Sequence, residues 1–125
     1  MIVGSTKEDL SKEKRVALTP ATVKNIIDLG LKVIIEKNYA NHIGISDKEY
    51  QEAGVEIKET SKDVLNSSRL LLKVNCPSED EVKDLKEKTI LIGMMNTPKN
   101  KKLISEILKK NISAFSLETL PRITR

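Results

Sequence analysis

Leu70-Leu71-Leu72-Lys73-Val74-Asn75-Cys76-Pro77-Ser78-Glu79-Asp80-Glu81-Val82-Lys83-Asp84-Leu85 is the stretch that decides the fold. It opens on a continuous apolar triplet and turns at Pro77. It restarts with Ser78 three residues ahead of Glu81, a capping box that leads into Val82 and Leu85. A second apolar triplet, Ile90-Leu91-Ile92, follows. Strands that are apolar throughout, rather than alternating, suit burial on both faces, as in a parallel sheet covered by helices.

The same alternation runs outward in both directions. Ile2-Val3-Gly4, Val33-Ile34-Ile35, Val55-Glu56-Ile57 and Ala114-Phe115-Ser116-Leu117 are the other candidate strands. Thr19-Pro20 sets a hydroxyl before a proline at the first helical position, Val23, Ile26 and Ile27 share one face, and Gly30 supplies the stop. Ser46 with Glu49 reads as another capping box, closed by Gly54. Thr97-Pro98 repeats the first device, with Leu103, Ile104, Ile107 and Leu108 on one face. No Gly/Ser-rich or Pro-rich linker and no internal repeat interrupts the pattern. The expectation is one α/β domain over residues 1–125, Rossmann-like or flavodoxin-like, three-layered, with a mostly parallel sheet.

Composition narrows the function classes. At 125 residues, with 38% hydrophobic and 32% charged side chains, the chain is long enough for a core and reads as neither disordered nor membrane-spanning. The first residues, Met1 to Ser5, lack the basic and long apolar regions of a signal peptide. The net charge of +4 is spread among acids, and aromatic residues make up only 2%, so nucleic acid is not the expected partner. One cysteine, Cys76, and one histidine, His42, preclude an intrachain disulfide and leave no zinc-like cluster, so no metal is expected.

In a parallel sheet ligands bind beyond the carboxyl ends of the strands, here after Gly4, Leu72, Ile92 and Leu117. Lys7 and Arg15 bracket the first of these loops. Both cations could reach one anion, with Arg15 clamping it bidentately beside the helix that begins after Thr19; equally, both could be solvated surface charges. Lys73 ends an apolar strand, so its ammonium either snorkels to the surface or lines a cleft. Asn75 can hydrogen-bond but is no acid or base. Cys76 has no histidine beside it to activate a thiolate, and His42 reads as a surface or local hydrogen-bonding group. There is no G-x-G-x-x-G, no G-x-x-x-x-G-K-[ST], and no set of Ser, His and Asp that could form a triad. By its own residues the chain offers basic groups around a cleft and no complete catalytic apparatus.

Lys7-Glu8, Arg15-Val16-Ala17-Leu18-Thr19-Pro20, Leu29-Gly30, Ser46-Asp47 with Tyr50, Ala53-Gly54, Leu72-Lys73-Val74 with Pro77, and Glu118 with Pro121-Arg122-Ile123 together carry a resemblance over essentially the whole chain. In this order it resembles the N-terminal segment shared by alanine dehydrogenases and the alpha subunit of NAD(P) transhydrogenases. Within that family, alanine dehydrogenases carry a substrate-holding lysine at the position of Asn75 and a catalytic histidine at that of Asn96. Lys73-Val74-Asn75-x-Pro77 and Leu120-Pro121-Arg122-Ile123-Thr124-Arg125 are instead similar to the transhydrogenase form.

That resemblance implies hydride transfer between NAD, held by this subunit, and NADP, held by a partner subunit, coupled to proton movement through a membrane component. It places Arg122 beside the nicotinamide as the catalytic residue, with Lys7, Arg15, Lys73 and Asn75 around the substrate-side cleft. It further implies a cytoplasmic homodimer peripheral to the inner membrane, with no membrane insertion of its own. The 125 residues would stop before the NAD-binding Rossmann domain, be inactive alone, and expose part of the sheet or pair with a copy. The other readings are an alanine dehydrogenase-like amino-acid oxidoreductase and a non-catalytic interaction module.

Overall fold

The computed structural model describes residues 1–11, 13–94 and 101–116. Six strands form one sheet: β1 Ile2–Ser5, β2 Lys32–Glu36, β3 Glu56–Lys58, β4 Leu70–Asn75, β5 Ile90–Met94 and β6 Ser113–Ser116. Their order is β3-β2-β1-β4-β5-β6, and all five pairings are parallel. Of the two expected architectures this is the Rossmann order, in which the chain reverses its direction of travel between β1 and β4. The sheet is wholly parallel among the described strands, as their apolar runs foretold.

Alternation along the strands divides the core in two. Val3, Val33 and Ile35 face α1 (Pro20–Asp28) and α2 (Asp47–Glu52). Ile34, Leu71 and Leu91 face α3 (Ser61–Ser67), α4 (Glu79–Asp84) and α5 (Lys101–Lys109). Leu71, Leu91, Val33 and Ile35 are fully buried, and each such side chain contributes roughly 1.5–3 kcal/mol of transfer free energy.

The helix starts follow the sequence signals. Thr19 accepts from the Thr22 N–H with Pro20 in the first turn, Ser46 accepts from the Glu49 N–H, and Ser78 with Glu81 closes a reciprocal box. Gly30 and Gly54 carry φ of +89° and +105°, the left-handed stops that β-carbons oppose.

Three details depart from expectation. Helix α3 was absent from the sequence reading, although Thr60 caps it by accepting from the Asp63 N–H at 3.2 Å. Strand β3 begins at Glu56 rather than Val55, because the Val55 N–H is still committed to Tyr50 O at the exit of α2. Leu108 points to solvent. It lies about 90° round the helix from the mean direction of Leu103, Ile104 and Ile107, which pack inward. The expected strand end at Leu117 and helix start at Thr97-Pro98 lie outside the described residues.

The two halves of the sheet are covered unequally. Leu72, Ile92 and Phe115 form one in-register row on the α1/α2 face. Leu72 packs against that core, whereas Phe115 at its far end is 59% exposed. Among the described residues, that end of the row is left open.

Candidate functional site

Three loops meet over the carboxyl ends of β1 and β4, where the strand order reverses. The first follows β1, the second runs from residue 13 into α1, and the third leaves β4. Tyr39 and Tyr50 hold the second in place, their rings edge to face at 5.7 Å between centroids. Tyr39 Oη accepts the Ala17 and Leu18 N–H groups at 3.1 and 3.2 Å and lies 2.7 Å from Ser5 Oγ. Because Ser5 donates its single hydroxyl hydrogen to Leu72 O at 2.6 Å, Tyr39 must be the donor to Ser5. One proton-ordered chain therefore links the loop of Arg15 to β1 and β4. Tyr50 Oη donates to Leu18 O at 2.7 Å. Burial pushes the Tyr39 phenol up to about 12, and burial also raises that of Tyr50.

Beneath this loop lies a buried charge cluster. Lys73, 4% exposed, donates from Nζ to Lys7 O at 2.9 Å and stands 3.6 Å from carboxylate oxygens of both Glu8 and Glu81. Glu8 accepts the Val74 N–H at 2.9 Å on one oxygen and the Asn75 N–H at 3.2 Å on the other. Glu81 takes the Ser78 N–H in the capping box, and its second oxygen accepts the Thr6 hydroxyl. No buried side-chain polar atom among the described residues lacks a partner. At the strand-order reversal the backbone N–H groups at the end of β4 are thus taken by this chain's own carboxylate, paired with its own ammonium. A dinucleotide phosphate would have to displace Glu8 from two backbone N–H groups, so these residues do not fit the phosphates of NAD.

Strand β4 is bulged here. Leu72 pairs with Ile92 and Asn75 with Met94, so three steps along β4 match two along β5. Such a bulge bends its strand and re-aims side chains beside a site. Asn75 and Cys76 line a polar cavity of about 180 Å³ with Glu8, Asp9, Lys73 and Glu81. A second, more open cleft of about 220 Å³ is lined by Arg15, Ala17, Leu72, Lys73, Val74, Ile92 and Met94.

Arg15 lies in the open cleft but is already engaged. Its Nε and Nη2 donate to the two oxygens of Glu13 at 2.8 and 3.0 Å, and its backbone N–H adds a third bond to the same carboxylate at 2.9 Å. The guanidinium beside Glu13 holds that carboxyl well below its usual range, at about 2.

The four described site candidates therefore separate. Arg15 and Lys73 share the open cleft, and Lys73 and Asn75 share the polar one. Lys7 contributes its backbone, its N–H donating to Glu36 Oε1 at 3.0 Å and its carbonyl receiving Lys73; its side chain lines neither cavity. Arg122 and Asn96 lie outside the described residues. His42 is the local hydrogen-bonding group expected of it, Nε2 lying 2.7 Å from Lys14 O. Since a carbonyl only accepts, that nitrogen carries the hydrogen. Sequence reasoning missed Glu13, the cluster-forming role of Glu8 and the second role of Glu81. Only Glu81 left a signal, its spacing from Ser78.

Residues 4–125 match the family described as alanine dehydrogenase/PNT, N-terminal domain. The chain is 34% identical to NAD(P) transhydrogenase subunit alpha of Haemophilus influenzae over its whole length, which is 24% of that protein. It is 36% identical over 120 residues to the alanine dehydrogenase of Methanococcus maripaludis, covering 96% of this chain and 32% of the relative. The crystal structure of transhydrogenase from Sinorhizobium meliloti superposes with a TM-score of 0.92 at 31% identity, over 99% of this chain and 37% of that one. The chain thus spans about a quarter to a third of the curated relatives' length, and identity alone does not separate the two activities. Fold, full-length similarity and profile agree that the chain belongs to the alanine dehydrogenase/PNT N-terminal domain family.

Proposed function

We propose that the chain serves as the N-terminal domain of the NAD(H)-handling subunit of an NAD(P) transhydrogenase, which exchanges hydride between NAD(H) and NADP(H) and couples that exchange to proton translocation. The observation that carries this reading is the state of the cleft. Among the described residues, both cations lining the open cleft are neutralised by the chain's own carboxylates, Arg15 by Glu13 and Lys73 by Glu8 and Glu81. Two positions on along β4, Asn75 offers only an amide. Amino-acid deamination loses hydride from the reacting carbon and also needs a group that gives and takes protons on the nitrogen and on the attacking water. Hydride exchange between two nicotinamides needs positioning and exclusion of water.

On this reading NAD binds to a domain beyond these residues, as the occupied backbone N–H groups at the end of β4 support, and NADP binds to a partner subunit. This domain forms one wall of the cleft: Leu72, Ile92 and Met94 supply an apolar floor that excludes water, and Glu8 fixes the backbone of Asn75. Arg122 stands beside the nicotinamide in this proposal. The partners are the membrane component and the NADP-binding subunit, with the NAD subunit a homodimer on the cytoplasmic side, peripheral to the inner membrane. No helix among the described residues is long and apolar enough to cross a membrane. The open row ending at Phe115 is then covered by further chain of the same subunit or by its copy.

The test is hydride exchange from NADH to an NADP analogue. The gene product at its natural length is combined with the NADP-binding domain, and the 125-residue chain is run in parallel. Exchange with the longer protein alone is the expected result. The alternative favoured by the 36% identity is an alanine dehydrogenase. Alanine deamination by the longer protein, with NADH binding intact but no exchange, would overturn the proposal in its favour.

A further inference from the structure

Six cations gather where the strands begin, at the end of the sheet opposite both clefts. They lie in the last turns of α4 and α5 and in the loops that lead from α3, α4 and α5 into β4, β5 and β6: Arg69, Lys83, Lys86, Lys88, Lys109 and Lys110. Three carboxylates accompany them in these segments, those of Asp84, Glu87 and Glu106. This rim therefore carries three of the chain's four net positive charges. Because β4, β5 and β6 are neighbours that start in register, the three loops stand side by side, about 5 Å from one to the next.

Two features show that the rim is held in shape. Lys110 turns its ammonium inward and donates to Val82 O, Lys83 O and Leu85 O at 2.8, 2.6 and 2.7 Å. All three of its N–H donors are thus spent on the carboxyl end of α4, which pins the α5–β6 loop against the α4–β5 loop. Lys88 sits at φ +68°, the left-handed region where glycine or asparagine is usual, while its N–H donates to Asn111 O at 2.9 Å. Backbone strain kept at an exposed lysine points to a role beyond packing. Apart from Lys110 the cations are exposed, and none of them is ion-paired among the described residues. Leu108, 60% exposed, stands beside Lys109, and Met1 and Leu29 are exposed at the same end of the sheet, ahead of β1 and β2.

We propose that this rim is a docking surface for an anionic lipid bilayer. The five exposed cations meet headgroup phosphates, and Leu108 enters the boundary between headgroups and acyl chains. Cations and exposed apolar side chains at one end of a molecule suit that boundary. Nucleic acid suits it less, because the rim segments contain no aromatic residue on which a base could stack. Strand β4 is six residues long, ~20 Å, so a chain docked by this end turns both clefts away from the bilayer. The contact is direct and additional to any attachment through a membrane component, and so goes beyond the transhydrogenase reading.

The full 125-residue chain is sedimented with vesicles of equal parts phosphatidylcholine and phosphatidylglycerol, and with vesicles of phosphatidylcholine alone. Binding to the first and not to the second, weakened by added salt, is the expected result. Lys86→Gln combined with Lys88→Gln removes two rim cations and is expected to weaken it about thirtyfold, at about fivefold for each. Lys24→Gln combined with Lys48→Gln lowers the net charge equally from exposed positions on α1 and α2, and should leave binding within about twofold. Leu108→Ser keeps every charge and is expected to weaken binding severalfold. The fold of each variant is checked by its unfolding midpoint. No sedimentation with the anionic vesicles, equal binding to both kinds, or equal loss in the two lysine pairs overturns the proposal. So does an unchanged affinity in Leu108→Ser, or tighter binding to duplex DNA than to anionic vesicles at matched salt. No nucleotide enters the assay, so hydride exchange can fail with docking intact, and docking can fail with exchange intact.

Discussion

Lys73 and Arg15 line the same cleft, are each paired with carboxylates of their own chain, and are held in opposite ways. The Lys73 side chain is 2% exposed and Arg15 is 67% exposed. The buried cation donates to Lys7 O and stands at ion-pair distance from Glu8 and Glu81, whose carboxylates accept backbone N–H groups in turn. The exposed one keeps donors in reserve. Burial turns an ion cluster into architecture, whereas exposure leaves it free to trade partners at low cost. The same chemistry, at two points of one cleft wall, therefore does two jobs.

Breaking the buried cluster should have the largest effect. Glu8→Ala strands the Lys73 ammonium with one carboxylate fewer and frees two backbone N–H groups, and is expected to cost about 3–5 kcal/mol in urea unfolding. A loss near that of a surface pair, under about 1 kcal/mol, would show that water reaches Lys73 and that the contrast with Arg15 is false.

The tyrosine chain that ties the two regions together should come next. Tyr39→Phe leaves the Ala17 and Leu18 N–H groups without their acceptor and should cost about 1–3 kcal/mol. The phenol's folded pKa, about 12, lies above its ordinary 10. Its contribution is therefore complete below pH 10 and is lost as pH rises through 12. Between those values the unfolding midpoint of the unchanged protein should fall more steeply than that of Tyr39→Phe.

The exposed pair should give the smallest effect on stability. Glu13→Gln is expected to change it by no more than about 0.5 kcal/mol. Its signature lies in titration instead. The guanidinium beside it holds the Glu13 carboxyl below its ordinary 4.5, so the fork with Arg15 is fully formed above pH 4.5 and opens as pH falls through the lowered value. The Glu13 side-chain carbonyl resonance followed against pH would check this; a midpoint near 4.5 would mean that the fork does not form in solution.

The sheet was legible because its information is local and repeated. The four inner strands open on or contain apolar runs, and most helices announce themselves by a hydroxyl cap at fixed spacing. Helix α3 escaped because its signal is the same device with Asp63 where a capping box carries glutamate and no proline after Thr60. The site was half legible. Arg15, Lys73 and Asn75 could be placed on one side of the sheet by topology, but their pairing could not. Glu8 meets Val74 and Asn75 across more than sixty residues of chain, and no periodicity reports such a contact. Glu13 lies two residues from Arg15, yet in sequence the two read as a charged surface loop. Only the geometry of the fork distinguishes a clamp from a solvated pair.

The position of β1 has a consequence for the order in which the molecule can be made. The first strand synthesised sits at the middle of the sheet, between β2 and β4. On a ribosome elongating at about 5–20 residues per second, β4 follows β1 by roughly 3–13 seconds. The half built from β1, β2, β3, α1 and α2 has its own buried cluster and can consolidate in that interval. Val3 and Gly4 meanwhile present one open strand edge, and the arriving chain must add to it in sequence. The loop carrying Glu8 is then the last part of the early half to be fastened, because the Val74 and Asn75 N–H groups that it binds are the last to emerge.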